Sequence, residues 1–269
     1  MSTTVAVPAT CRNCGAALQG RFCSNCGQED RPLDPTVGEV AAEVAREVSA
    51  LDGRILGTVR RLFLSPGYLT LEHFQGRRVA WVSPVRLYLI LSVCYFAISA
   101  FAGASGLSVD VGATGDTDEE TTQAIQKLGF STEQDMRRAV NGALATWIPR
   151  AMFVLIPLFG WLVSLVRRGS RRHYPHHVIF ALHLFAAFFG AQAVAVAGGY
   201  LSRSETVSFI ARALSLIYAL CYMVIALKTV YGGTTARALA HAAIVLSLYW
   251  LATIVAAVAI VVPVLMWRS

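Results

Sequence analysis

The chain of 269 residues is 55% hydrophobic and only 14% charged, which excludes an ordinary soluble domain of this length and indicates an integral membrane protein. Its formal net charge of +7 does not indicate a nucleic-acid-binding surface, because residues 1–53 carry more acids than bases. The excess Lys and Arg instead lie beside apolar segments, as in the cytoplasmic flanks of membrane-spanning helices.

Four of the six cysteines lie in two Cys-x-x-Cys-Gly units, and this spacing is typical of a tetrahedral structural zinc site. A closed shell of four sulfurs has no open position for a substrate. We therefore predict a zinc ribbon over residues 1–30. Redox-active dithiols are the alternative, but such pairs normally open a helix in a βαβ unit, a context that this segment does not have. The predicted zinc ligands are Cys11, Cys14, Cys23 and Cys26.

Residues 31–83 are predicted to form cytoplasmic amphipathic and interfacial helices. Thr36 and Glu39 match a capping box, and apolar residues then repeat at helical spacing. Residues 54–86 carry six Arg and a single acid, which is typical of a cytoplasmic flank. Within this stretch, residues 54–82 either lie at the membrane interface or re-enter the bundle.

Five later segments are apolar and about 20 residues long, the length that a helix needs to cross the hydrocarbon core. They predict an all-α fold, a multi-pass transmembrane helical bundle over residues 84–269 with an outer loop at 105–146. In that loop Ser131 and Gln134 match a second capping box and predict a short helix. The predicted spans are 84–104, 147–166, 178–199, 207–227 and 242–266.

The charges between the spans predict the orientation of the bundle. The loop 105–146 is acidic, the segment 167–173 is strongly basic, and Lys228 and Arg237 mark the fourth connection. Since Lys and Arg accumulate on the cytoplasmic side, we expect a cytoplasmic N-terminus and an external C-terminus in the inner (cytoplasmic) membrane of the cell. This orientation puts the cysteines in a reducing compartment, where metal binding is expected rather than disulfides.

Polar residues inside membrane segments are the usual functional candidates, because each costs free energy unless it is satisfied. His183 lies two turns beyond His176 near the start of the third span, and His241 lies near the start of the fifth. These three residues are candidates for an inner-leaflet layer that binds a metal, a lipid headgroup or a quinone-like molecule. Alternatively, they are interfacial or bundle histidines that bond to their neighbours.

The sequence does not indicate an enzyme. After Asp135 the only acid is Glu205, in a connection, so the later spans have no carboxylate for proton coupling or for an aspartyl protease dyad. Zinc-protease, P-loop and nucleophile-elbow motifs do not occur in the chain. We therefore predict no catalytic residues.

Several short motifs occur along the chain: the two cysteine units with Phe22 and Gln28 around the second, Thr58–Leu62, Ser65-Pro66-Gly67, Gly76-Arg77-Arg78, Ser83-Pro84 and Tyr174–His183. They resemble those of uncharacterised bacterial multi-pass membrane proteins of unknown function that begin with a four-cysteine zinc ribbon. The resemblance covers most of the chain apart from the outer loop. It implies a bacterial cytoplasmic-membrane protein and implies no established activity.

Together these features favour a protein that docks, assembles or regulates a partner protein through a cytosolic zinc ribbon. A small-molecule or ion transporter is an alternative and requires a polar path through the spans. A lipid- or quinone-binding protein that uses the histidine layer is a further alternative. The expected contacts are membrane lipid and a protein partner at the ribbon, and we expect no nucleic acid.

Overall fold

The computed structural model describes residues 10–30, 54–102, 125–126, 129–170 and 172–266, and the regular secondary structure in these ranges is helical, as predicted. The helix expected after Thr36 and the outer loop up to residue 124 lie outside them. The described helices are α1 (Ile55–Leu64), α2 (Tyr68–Phe74), α3 (Pro84–Phe101), α4 (Glu133–Val166), α5 (Tyr174–Ser202), α6 (Glu205–Tyr231) and α7 (Thr235–Met266).

Four of these helices, α3, α5, α6 and α7, are long and apolar enough to cross a membrane. They correspond to four of the predicted spans, although α5, α6 and α7 begin earlier than predicted because each helix continues into the polar residues at its start. The predicted span 147–166 corresponds to Arg150–Val166, an apolar stretch of 17 residues at the lower limit for crossing. A fifth crossing therefore stays a prediction.

The structure corrects the expected short helix in the outer loop, because α4 is one continuous helix of 34 residues. Its N-cap is Thr132 rather than Ser131, and the Thr132 hydroxyl accepts a hydrogen bond from the backbone N–H of Asp135 at 3.1 Å. Val140 and Leu144 are buried, so the first half of α4 packs against other parts of the protein as the second half does. The helix continues from these buried positions through Pro149 into the apolar stretch.

The helix directions alternate along the chain as five crossings require. Helix α4 is antiparallel to α7, since Arg167 meets His241 while Phe159, eight residues earlier, packs on Tyr249, eight residues later. The two-residue linker Arg203–Ser204 joins α5 to α6, which is antiparallel to it, and three residues join α6 to α7. Helices α5 and α7 therefore run in one direction, and α4 and α6 run in the other.

The direction of α3 completes this alternation. Ser83, just before α3, shares a cavity with His183 of α5, and further along α3 the ring of Tyr95 lies 5.4 Å from that of Phe189. Residue numbers therefore increase in the same direction along both helices, so α3 and α5 are parallel. The chain must return between them, and α4 is the described helix that runs back.

Helix α5 lies at the centre of the bundle, and α7 lies at its edge. Two thirds of the most apolar stretch of α5 is buried, against 6% of that of α7. Small residues allow this close packing: Gly199 lies against Ser208 of α6, and Ala187 and Ala195 are buried. The exposed apolar face of α7 is suited to contact with lipid tails.

The hairpin of α1 and α2 is packed against α5 and α6. Three contacts follow α5 at intervals of seven residues: Phe63 lies against Gly190, Thr70 is bonded to His183, and Phe74 packs on His176. These contacts span about 21 Å of α5 by helix rise. The hydroxyl of Tyr218 in α6 also donates to the backbone oxygen of Phe63 at 3.0 Å. This position favours the alternative in which residues 54–82 re-enter the bundle over the one in which they lie at the membrane interface.

Candidate metal centre and its contact with the bundle

The two cysteine units fold in the same way. In the first, the backbone N–H of Cys11 donates to Ala16 at 2.8 Å and that of Gly15 donates to Cys11 at 2.8 Å. In the second, Cys23 donates to Gln28 at 2.8 Å and Gly27 donates to Cys23 at 2.9 Å. Gly15 and Gly27 both have positive φ, a conformation that glycine adopts without strain. Each unit is thus a tight knuckle with both sulfurs on one side.

The structure brings the four predicted ligand sulfurs together, all within 4.8 Å of one another. Two of the separations, Cys11 to Cys26 and Cys14 to Cys23, are 3.6 Å. A tetrahedral zinc ion with Zn–S bonds of about 2.3 Å has sulfurs about 3.8 Å apart. The four cysteines form no disulfide in the structure, and their sulfurs are close enough together to hold one metal ion. Among the described residues they are the group of His, Cys, Asp or Glu side chains that fits a metal ion.

The surroundings of Cys14 favour the thiolate form that metal binding needs. Hydrogen bonding from the backbone at Ala16, with a further contribution from Asn25, lowers the pKa of the Cys14 thiol to about 6. A thiol with this pKa is largely ionised at neutral pH. In the same cluster the backbone at Gln28 lowers the pKa of the Cys26 thiol, but burial and the hydrogen bonds of Cys14 and Cys11 raise it to about 11, so Cys14 ionises before Cys26.

Gln28 joins the second knuckle to the helical bundle. Its side-chain amide donates to the backbone oxygen of Gly76 at 2.8 Å, and its side-chain oxygen accepts from the backbone N–H of Arg78 at 3.2 Å. Both partners lie in the connection between α2 and α3. Residues 10–30, which we call the four-cysteine module, are therefore seated on the loop that follows the α1–α2 hairpin.

That loop is itself tied to α2 by a buried carboxylate. Arg77 forms an ion pair with Glu72 through two hydrogen bonds, one of them at 2.8 Å and the other from Nη2 to Oε1. The indole N–H of Trp81 points at the same carboxylate from 3.4 Å. The guanidinium of Arg77, followed by the indole, lowers the pKa of Glu72 against the effect of burial. Glu72 therefore stays ionised and anchors both ends of the loop.

A small cavity lies between α2, this loop and α5. It has a volume of about 30 Å³, which is room for one or two water molecules. Its lining is polar on one side, where the side chains of His73 and His183 face the loop residues Arg77 and Arg78. His183 is 4% exposed, and its Nδ1 lies 3.0 Å from the hydroxyl of Thr70. His183 is thus a buried histidine satisfied by a neighbour, which is one of the two alternatives that the sequence left open.

The structure does not bring His176, His183 and His241 together in one layer. His176 packs on the ring of Phe74, with the ring centroids 4.7 Å apart. His241 instead meets Arg167 of α4 at 3.2 Å. His176 and His183, seven residues apart, lie on the face of α5 that meets α2, whereas His241 lies on α7 beside the end of α4.

A second polar cluster, which the sequence analysis missed, surrounds the end of α6. The ring nitrogen Nδ1 of His177 lies 2.8 Å from the hydroxyl of Tyr231, and the two rings are stacked. Arg167 donates to the backbone oxygen of Tyr231 at 2.7 Å and also bonds His241. This cluster joins α4, α5, α6 and α7. Its members are at helix ends in the sequence, which is the available signal, but only the fold shows that these ends meet.

The partners of the loop were also missed. Glu72 is the only acid among residues 54–86 and could have been singled out as the partner of one of six arginines. Thr70 carries no signal in the sequence, because a single threonine in a short helix is ordinary. Gln28 was recognised only as part of a motif, and its contacts depend on residues about 50 positions away.

Comparison with known families gives one match, to a family described as "Protein of unknown function (DUF3667)", over residues 52–96. This segment holds α1, α2, the loop and most of α3, and it includes the motifs from Thr58 to Pro84 that carry part of the resemblance. The cysteine units and Tyr174–His183 lie outside it. No curated protein and no solved structure matches the chain. The chain is therefore similar to this family over the hairpin, the loop and the start of the bundle.

Proposed function

We propose that this is a bacterial inner-membrane protein that docks or assembles a protein partner through a zinc-loaded four-cysteine module in the cytosol. The observation that carries the proposal is the cluster of four free thiols, close enough together to hold one metal ion. Zinc bound there would be closed to substrate, so its role is to hold the fold of a short segment that has no core of its own.

An exposed aromatic residue beside this cluster supports a docking role. The side chain of Phe22, directly before Cys23, is 59% exposed, and the guanidinium of Arg21 lies 5.9 Å from the centre of its ring. Aromatic and arginine side chains are the residues that most often carry the binding energy of protein interfaces. The backbone of Phe22 pairs with Glu29, next to Gln28, yet the Phe22 side chain is exposed and open to a partner beside the contact with the bundle.

The polar contacts in the bundle give less support to the alternatives. A transporter or a quinone-binding protein would use the histidines, whereas His183 and His177 are each engaged by a hydroxyl group of the same chain. We also propose that the protein has no enzymatic activity at the four-cysteine module, because its four sulfurs fill the coordination shell of zinc.

The experiment compares proteins that copurify with the full chain from native membranes for wild type, Phe22→Ala and Gln19→Ala. Both variants keep all four cysteines and change an exposed side chain of the module. A docking role predicts one stoichiometric partner that is lost with Phe22→Ala and kept with Gln19→Ala, at unchanged zinc content. The same set of proteins from wild type and Phe22→Ala would refute docking through this surface.

A further inference from the structure

The two knuckles differ at one informative position. Ala16 and Gln28 occupy equivalent places, since each accepts the backbone N–H of the first cysteine of its unit at 2.8 Å. The first knuckle forms this bond with alanine, so the fold of a knuckle does not require a glutamine side chain. The side chain of Gln28 is therefore available for another role.

That role is visible in its two contacts. A primary amide carries one donor group and one acceptor, and Gln28 uses both on the backbone of one loop, at Gly76 and Arg78. Gly76 is buried and has a φ of 79°, which shapes the loop so that its oxygen and the N–H two residues later face the same amide. Two matched bonds from one side chain fix both the position and the orientation of the module.

We call residues 76–83 the strap, because they run from this contact to the first turn of α3. Arg77 binds Glu72, and the backbone N–H of Val82 donates to the hydroxyl of Thr58 in α1 at 3.1 Å. The strap also supplies one wall of the cavity between His73 and His183. Its position therefore decides whether that cavity is closed.

The position of Gln28 depends in turn on the cysteine cluster. Its backbone oxygen is held by Cys23, and Gly27 before it is held by the same residue. The side chains of residues 10–30 that are buried are Cys11 and Cys23, so the segment has no apolar core to hold this geometry without a metal ion. Loss of the metal would free Gln28 from its place beside the strap.

We propose that the four-cysteine module is a metal-dependent latch: with its metal bound, Gln28 holds Gly76 and Arg78 at the start of the strap, and without the metal the strap loses this tie and keeps those to Glu72 and Thr58. This inference rests on the metal site of the proposed function and adds a regulatory link from that site to the bundle. Metal loss thereby controls the segment over which the chain is similar to the matched family.

Hydrogen–deuterium exchange of the full chain in lipid nanodiscs tests the latch, because the N–H of Arg78 is protected by Gln28 itself. Exchange is followed in a peptide that spans residues 76–83, for zinc-loaded protein and after treatment with EDTA. The variants are Gln28→Ala, which keeps the four cysteines, and Gln19→Ala, which removes an exposed glutamine of the same module. Zinc content is measured for every sample.

We expect exchange in this peptide to become about tenfold faster after zinc removal and in zinc-loaded Gln28→Ala. EDTA should add nothing further to Gln28→Ala, and Gln19→Ala should behave as wild type. Unchanged exchange after the zinc has left, or in zinc-loaded Gln28→Ala, would overturn the latch while leaving the zinc site intact. Purified protein without zinc would instead refute the metal site on which the latch rests, so the two failures are distinct.

Discussion

At the scale of single residues, the protein is held together by polar side chains that join distant parts of the chain. Thr70 and His183 are 113 positions apart and both buried, and Gln28 reaches a loop about 50 positions away. Buried polar groups that are fully paired specify one arrangement, because any other arrangement leaves them unsatisfied. These pairs therefore fix how the hairpin and the four-cysteine module sit on the bundle.

His73 provides a pH test of this arrangement. Burial, followed by the charge of Arg78 and the nearby His183 and His176, holds its pKa well below the usual value of 6.5. The folded protein thus keeps His73 neutral, while the unfolded chain takes up a proton below about pH 6.5. The contribution of His73 to the free energy of unfolding is therefore complete above pH 6.5. It is lost as the pH falls below 6.5, by at most about 1.4 kcal/mol per pH unit.

We expect His73→Gln to reduce the loss of stability between pH 7 and pH 5, as measured by thermal unfolding in detergent. The exposed His173→Gln serves as the control and should leave the pH dependence as in wild type. An equal pH dependence in wild type and His73→Gln would show that the partly buried His73 is not held neutral in the folded protein.

At the scale of elements, the packing of the α1–α2 hairpin against α5 depends on Gly190. A Cβ atom at Gly190 would lie 2.5 Å from the tip of the Phe63 ring, whereas one at Gly198, two turns later, would meet nothing within 4 Å. We expect Gly190→Ala to destabilise the protein by about 1–3 kcal/mol through overpacking, despite the better helix propensity of alanine.

Thermal unfolding of Gly190→Ala and Gly198→Ala in the same detergent makes the comparison, with Gly198→Ala expected to be neutral or slightly stabilising. Phe63→Leu shortens the ring and should make Gly190→Ala better tolerated. If the two alanine variants unfold alike, α1 does not lie against α5 at this level.

Local sequence patterns predicted the elements themselves but did not predict how the elements pack against one another. The apolar runs and Cys-x-x-Cys spacing are local patterns, and both the helices and the cysteine cluster were confirmed. The start of α4 was wrong by one residue and its length was underestimated, since capping motifs at Ser131 and Thr132 compete and only tertiary packing decides between them. A ligand site at His176, His183 and His241 stays a prediction, and the helical spacing did not show that His241 on α7 meets Arg167.

At the scale of the whole molecule, the alternation of helix directions is the strongest support for five crossings. Four helices meet the length and hydropathy of a span, and α4 returns the chain between the parallel helices α3 and α5. An odd number of crossings puts the two ends of the chain on opposite sides of the membrane. From the basic connections we therefore predict a cytosolic four-cysteine module and an external C-terminus.

Fusions of a reporter that is active only in the cytosol, and of one active only outside it, test this orientation at the C-terminus and after residue 30. We expect the cytosolic reporter to be active only after residue 30 and the external one only at the C-terminus. A cytosolic C-terminus would contradict the crossing by α4, whose apolar stretch is the shortest.

Elemental analysis of the purified full chain measures directly whether the four cysteines hold one zinc ion, as we propose. We predict about one equivalent of zinc per chain, with Cys11, Cys14, Cys23 and Cys26 protected from thiol reagents until the metal is removed. A zinc content below about half an equivalent per chain, with these four cysteines in disulfides, would refute the zinc site.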